Sequence, residues 1–104
     1  MEWNRESPGD QMKRHAADAA GMMKQLANPK RLVILCQLLS TERSVGELVD
    51  SVGLSQSAVS QHLAKMREAG LVDTEKKGQM VYYRLCSMKA NALLSMLCLI
   101  YFRD

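Results

Sequence analysis

Three groups of residues in this chain could do chemistry. The first is sulfur: Cys36, Cys86 and Cys98. An odd number of widely spaced cysteines, with no Cys-x-x-Cys pair, argues against a disulfide scaffold. The first 15 residues are polar and charged, so no secretory leader is read there, and reduced thiols in a cytoplasm are expected. The second group is a run of short polar side chains: Ser55, Gln56, Ser57, Ser60, Gln61, His62 and Lys65. No carboxylate interrupts it before Glu68. Amides can bond adenine in two places, hydroxyls can bond bases or phosphates, and the missing carboxylates remove repulsion from a polyanion. The third group is cationic. Lys76 and Lys77 precede Gly78 and Gln79 at a sharp turn, and Arg31 follows Pro29. Arg31 has two readings, a phosphate clamp or a plain helix-surface charge.

The elements that must position these groups are legible from periodicity and end signals. Residues 1–9 are polar, close on Pro8-Gly9, and are expected to be a flexible tail. The folded domain is then 10–104. A helical stripe of Met12, Ala16, Ala19, Ala20, Met23 and Leu26 follows, built of small residues and Met that let another helix approach. Asn28-Pro29 reads as an N-cap and first position of a second, strongly apolar helix that contains Cys36. Ser40 to Arg43 is a polar break. Ser44-Val45-Gly46-Glu47 fits a capping box, and Gly53 suits the left-handed end of that short helix. Ser55 opens the next helix, with Ala58, Val59, Leu63, Met66 and Ala69 as its apolar stripe and Gly70 as its stop. Leu71–Lys76 and Gln79–Leu85 read as strands joined through Lys77-Gly78 in a tight hairpin. Tyr82 and Tyr83 point to opposite faces. Ser87 caps a last helix, whose stripe is Leu93, Leu94, Leu97, Cys98 and Tyr101.

The fold class expected is α+β: a winged helix-turn-helix, mostly helical, with a two-stranded hairpin wing. At 104 residues there is one domain, and a core this small is readily completed by a second chain. The net charge of +3 is compatible with nucleic acid. No apolar run reaches the roughly 18 residues of a membrane span. No paired carboxylates, nucleophile with a base, or phosphate loop suggests an enzyme. No compact ligand cluster suggests a metal, and no cofactor is expected.

The motifs together resemble the ArsR/SmtB family of winged-helix repressors. The resemblance is carried by Asn28-Pro29-Lys30-Arg31-Leu32-Val33-Ile34-Leu35, by Leu54-Ser55-Gln56-Ser57-Ala58-Val59-Ser60-Gln61-His62-Leu63, and by Gly70-Leu71-Val72 with Lys77-Gly78-Gln79-Met80-Val81-Tyr82-Tyr83. It spans about residues 12–102. It implies a homodimer built on the first and last helices and bound to an inverted repeat in double-stranded DNA. Met12, Ala16, Ala19, Met23, Leu93, Leu94, Leu97 and Tyr101 would form that interface. Ser55, Gln56, Ser57, Ser60, Gln61, His62, Lys65, Arg31, Lys76, Lys77 and Gln79 would face DNA. The family's two usual metal sites lack donors here. Ser44–Val49 holds no thiol, and Lys89–Met96 holds no Asp, His or Glu.

A closer resemblance is to the family's sulfide- and redox-responsive subgroup, that of BigR, SqrR and HlyU. It implies sensing of reactive sulfur or oxidant by two thiols. One matches Cys36; the other would follow Tyr101, where this chain has Phe102. Cys98, one turn earlier, is the substitute candidate. Beside this stand plainer readings. Cys36 and Cys98 also suit small buried hydrophobes. The chain could then be an ArsR-type repressor without thiol sensing, or, in another class, a winged-helix protein–protein module.

Overall fold

The computed structural model describes residues 7–102, and its elements follow from their caps. Helix α1 runs Pro8–Leu26. Its start corrects the expected tail. Ser7 accepts a hydrogen bond from the Asp10 backbone N–H, Pro8 supplies a preset φ, and Asp10 sits at the positive helix end. Pro8 and Gly9 therefore belong to the helix with Ser7 as its cap, and the rest of that expected tail lies outside the described residues. Helix α2 is Pro29–Ser40, capped by Asn28 Oδ1, which accepts from Arg31 N–H at 3.1 Å.

A two-residue strand, β1 (Arg43–Ser44), comes next, followed by α3 (Val45–Val52) and α4 (Gln56–Glu68). The capping box on α3 forms in both directions: Glu47 N–H donates to Ser44 Oγ, and Ser44 N–H donates to Glu47 Oε1. Gly53 then turns the chain with φ of 71°, a left-handed value that other residues adopt at a cost. Strands β2 (Val72–Lys77) and β3 (Met80–Leu85) form the hairpin, and α5 is Met88–Tyr101, capped by Ser87.

The two-stranded hairpin forms as expected, and among the described residues β1 joins it as a third strand, in the order β1-β3-β2. Arg43 pairs with Tyr83 and Ser44 with Tyr82, antiparallel. The polar break thus supplies an edge strand, because its backbone lies beside β3 and takes up hydrogen bonds the hairpin leaves open. The turn also shifts by one residue. Lys77 pairs with Met80, so Gly78-Gln79 is the two-residue loop. Only Gly78 has positive φ (63°) there, the pattern of a type II′ turn with Gly at its first position.

The core lies where α2, α3, α4, β2 and α5 meet, around Ile34, Leu35, Leu48, Leu63, Val72 and Leu94. Ala69 ends α4 as an exposed C-cap rather than part of the buried stripe. Helix α1 differs from the others: among its 19 residues only Leu26 is buried. Most of a helix's stability in a protein comes from packing an apolar face, and α1 packs little of its own within the chain. No helix among the described residues is long and apolar enough to cross a membrane.

Candidate nucleic-acid interface and thiol pair

Packing on the core fixes which side of α4 faces outward. Val59, Leu63 and Met66 are fully buried, so the opposite face carries Gln56, Ser57, Ser60, Gln61 and Lys65, all exposed. Ser55 is exposed too, but its hydroxyl is engaged as the cap. It accepts from Ala58 N–H at 3.2 Å and lies 3.3 Å from Ser57 Oγ. The first N–H groups of α4 have no acceptor within the helix and point outward with its positive end. His62 is half-buried on the same helix. Burial first, then the charges of Arg31, Lys30 and Lys65, hold its pKa below the usual value. Both causes favour the neutral ring, which offers one donor and one acceptor.

That influence marks a basic group that joins the start of α2 to α4. Lys30, beside Arg31, was not singled out from sequence; its proximity to His62 exists only in the fold. Arg31 is more committed than a surface charge. Its Nη1 donates to both the backbone O and Oε1 of Gln25, each at 3.1 Å, tying α2 to the last turn of α1.

On the wing, the strand register separates two faces. Val72 is buried, and Tyr83 and Leu85 pack against the core. Thr74, Lys76 and Val81 continue that face toward the tip. Lys76 and Gln79 are exposed, and Lys76 holds no ion pair among the described residues. The other face is a charge network. Arg84 Nε lies 2.7 Å from Asp73 Oδ1, and Arg84 Nη1 lies 3.2 Å from Glu75 Oε1. Lys77 bonds Glu42, lies 4.0 Å from Glu75, and sits 5.6 Å above the Tyr82 ring. Lys77 is therefore occupied where Lys76 is not.

The thiols are brought together by α2 and α5. Cys98 Sγ lies 3.9 Å from Cys36 Sγ, and both residues are half-buried. Burial first, then the neighbouring Cys98, push the Cys36 thiol up to about 11. Open hollows flank the pair. Ser40, Asn91, Ser95 and Leu99 line one, and Val33, Gln37 and Phe102 line the other. Phe102 thus shares one hollow with both cysteines. Cys86 stands apart and exposed, with its thiol 3.5 Å from Gly70 O. Among the described residues, no group of three or more His, Cys, Asp or Glu could hold a metal ion.

The expected interface residues divide. Met12, Ala16, Ala19, Met23, Leu93 and Tyr101 are exposed, and Leu97 is half-buried. Leu94 is fully buried in the chain's own core, a correction to its interface assignment. Helix α5 is apolar nearly all round, so periodicity could not separate its inner line from its outer one. Met23, Leu26, Leu32, Leu93, Met96 and Leu97 line an apolar hollow of about 280 Å³ between α1, α2 and α5.

Residues 28–74 match the profile described as bacterial regulatory protein, arsR family. The transcriptional activator HlyU of Vibrio cholerae is 47% identical over 91 residues, covering 88% of this chain and 84% of that protein. A structure of reduced HlyU from Vibrio cholerae superposes with a TM-score of 0.84 at 46% identity, over 89% of this chain and 98% of that one. The transcriptional repressor BigR from Xylella fastidiosa gives a TM-score of 0.83 at 37% identity, over 88% and 91%. These relatives are transcription regulators, not enzymes.

Proposed function

The chain belongs to the arsR family of bacterial DNA-binding transcription regulators, and from that premise we propose that it is a homodimeric, sequence-specific repressor of the cytoplasm whose grip on an inverted-repeat operator is released when reactive sulfur or oxidant joins Cys36 to Cys98. The observation that carries the DNA reading is the exposed, carboxylate-free face of α4. Gln56 and Gln61 read bases; Ser57, Ser60, His62 and Lys65 bond bases or phosphates; Lys76 and Gln79 on the wing meet the backbone. Ser55 acts as the cap that aims the helix, and Arg31 ties the start of α2 to the last turn of α1.

The dimer reading is supported by α1. Its exposed Met12, Ala16, Ala19 and Met23 leave an apolar stripe that the chain itself does not cover. Packing it with the outer line of α5, Leu93 and Tyr101, against a second copy sets the spacing of two α4 helices. Half-sites about one DNA turn apart tolerate little change in that spacing.

The switch reading is supported by the 3.9 Å between the sulfurs. With an organic persulfide as oxidant, the Cys36 thiolate attacks the outer sulfur and expels the organic thiol. Cys98 then attacks the Cys36 sulfur and expels hydrogen sulfide. Two thiol groups and one persulfide become one disulfide, one thiol and one sulfide. A second reading, a repressor with no thiol switch, is favoured by Phe102 and by the high pKa of Cys36.

The test is binding to the DNA upstream of the protein's own gene, by reduced and persulfide-treated protein, each with and without Cys36→Ser. Release that Cys36→Ser abolishes supports the switch. Tight binding that survives treatment supports the second reading. Absence of binding to any duplex would reject both and favour a protein–protein module.

A further inference from the structure

Two lysines stand side by side at the wing tip, yet the fold treats them differently. Lys76 lies on the face that continues from the core and makes no ion pair among the described residues. Lys77 lies on the outer face, held by Glu42, flanked by Glu75 and stacked over Tyr82. Glu42 comes from the loop before β1, 35 residues away in sequence. Its side chain is only 26% exposed against 51% for Lys77, so water screens the carboxylate less than the ammonium. Asp73 and Glu75 add further negative charge, and Arg84 answers part of it. A phosphate that takes up Lys77 must therefore compete with Glu42, already bonded to it, and with Glu75 beside it.

We propose that Glu42 is a positioning residue for the wing. It anchors the hairpin tip to the loop before β1 through Lys77 and keeps that ammonium from phosphate, so Lys76 is the one lysine of the wing tip that contacts phosphate. The inference rests on the DNA-binding reading and refines it, since both lysines are cations of equal formal charge at the same turn. It makes Lys77 a structural cation and Glu42 a limit on the wing's non-specific affinity.

The salt dependence of binding to a random-sequence duplex of about 30 base pairs tests this, because each phosphate contact contributes a slope of about 0.9 in log affinity against log salt. Lys76→Gln lowers the slope by about 0.9, and Lys77→Gln leaves it unchanged. Glu42→Gln frees Lys77, steepens the slope by about 0.9 and tightens binding several-fold at low salt. The double variant Glu42→Gln/Lys77→Gln returns to the wild-type slope. Thermal melting of each variant confirms folding.

If Lys77→Gln alone costs as much slope as Lys76→Gln, the proposal is overturned. It is equally overturned if the double variant keeps the gain, since Glu42 then acts only as a general negative charge. A wild type with no salt-dependent binding to duplex rejects the DNA reading itself, and this proposal with it. The distinct patterns separate the two failures.

Discussion

The sulfur atoms of Cys36 and Cys98 stand 3.9 Å apart, although 62 residues separate them in the chain. A disulfide needs about 2.05 Å, so the two sulfurs have about 2 Å left to close. Mild oxidation of dilute protein should therefore give an intramolecular Cys36–Cys98 disulfide. Intact mass should fall by two hydrogens, and peptide mapping should place the link. Cys36→Ser and Cys98→Ser should each prevent it, while Cys86→Ser should not. A link that forms only between chains, or one that uses Cys86, would reject the pairing.

The environment of Cys36 sets a pH dependence. Burial, reinforced by Cys98, raises its thiol from 9.0 to about 11. The thiolate is the nucleophile, so alkylation of Cys36 at neutral pH should be slow and should quicken about tenfold per pH unit until near 11. The stability consequence has a definite sign. A folded-state pKa above the unfolded value means that folding disfavours the thiolate. The contribution is fully present below pH 9 and is lost as pH rises through about 11. Cys36→Ala should flatten the fall of the urea midpoint over that window. Equal falls in both proteins would reject the assignment.

Local signals were legible in the sequence, and tertiary ones were not. Asn28, Ser44, Ser55 and Ser87 marked helix starts correctly because a cap is made with a residue three positions on. Ser7-Pro8 opens a helix where the sequence suggests a tail, because Pro-Gly is an equally good loop signal. Strand β1 was missed because a two-residue strand is defined by Tyr82 and Tyr83, some forty positions later. The outward face of α4 followed from its buried stripe, so those candidates emerged together. That Lys77 meets Glu42, that Lys30 neighbours His62 and that Leu94 turns inward all depend on how distant elements pack, which periodicity does not encode.

The division of α5 predicts opposite outcomes for neighbouring leucines. Leu94 is fully buried within one chain, so Leu94→Ala should cost about 2–5 kcal/mol in unfolding free energy. Leu93 is 39% exposed and Tyr101 is 72% exposed. Leu93→Asp with Tyr101→Asp should leave the chain helical by circular dichroism but shift sedimentation from dimer to monomer. A double variant that stays dimeric would move the interface elsewhere on the molecule.

The face of α4 should divide its residues by what they read. Gln56 and Gln61 offer an amide that can bond adenine in two places, worth about 1–3 kcal/mol of discrimination per good pair. Gln56→Ala and Gln61→Ala should each weaken binding to the operator far more than binding to random duplex. Lys65→Gln should weaken both about equally and lower the salt slope by about 0.9 if its ammonium meets phosphate. Ser55→Ala should behave differently again. Its hydroxyl caps the Ala58 N–H, so the loss should appear in stability, by about 1 kcal/mol, before it appears in sequence preference. Competition titrations with operator and random DNA, paired with urea melts, resolve all three. Equal losses on operator and random DNA for the glutamine variants would remove them from base readout and leave α4 as a backbone-binding helix only.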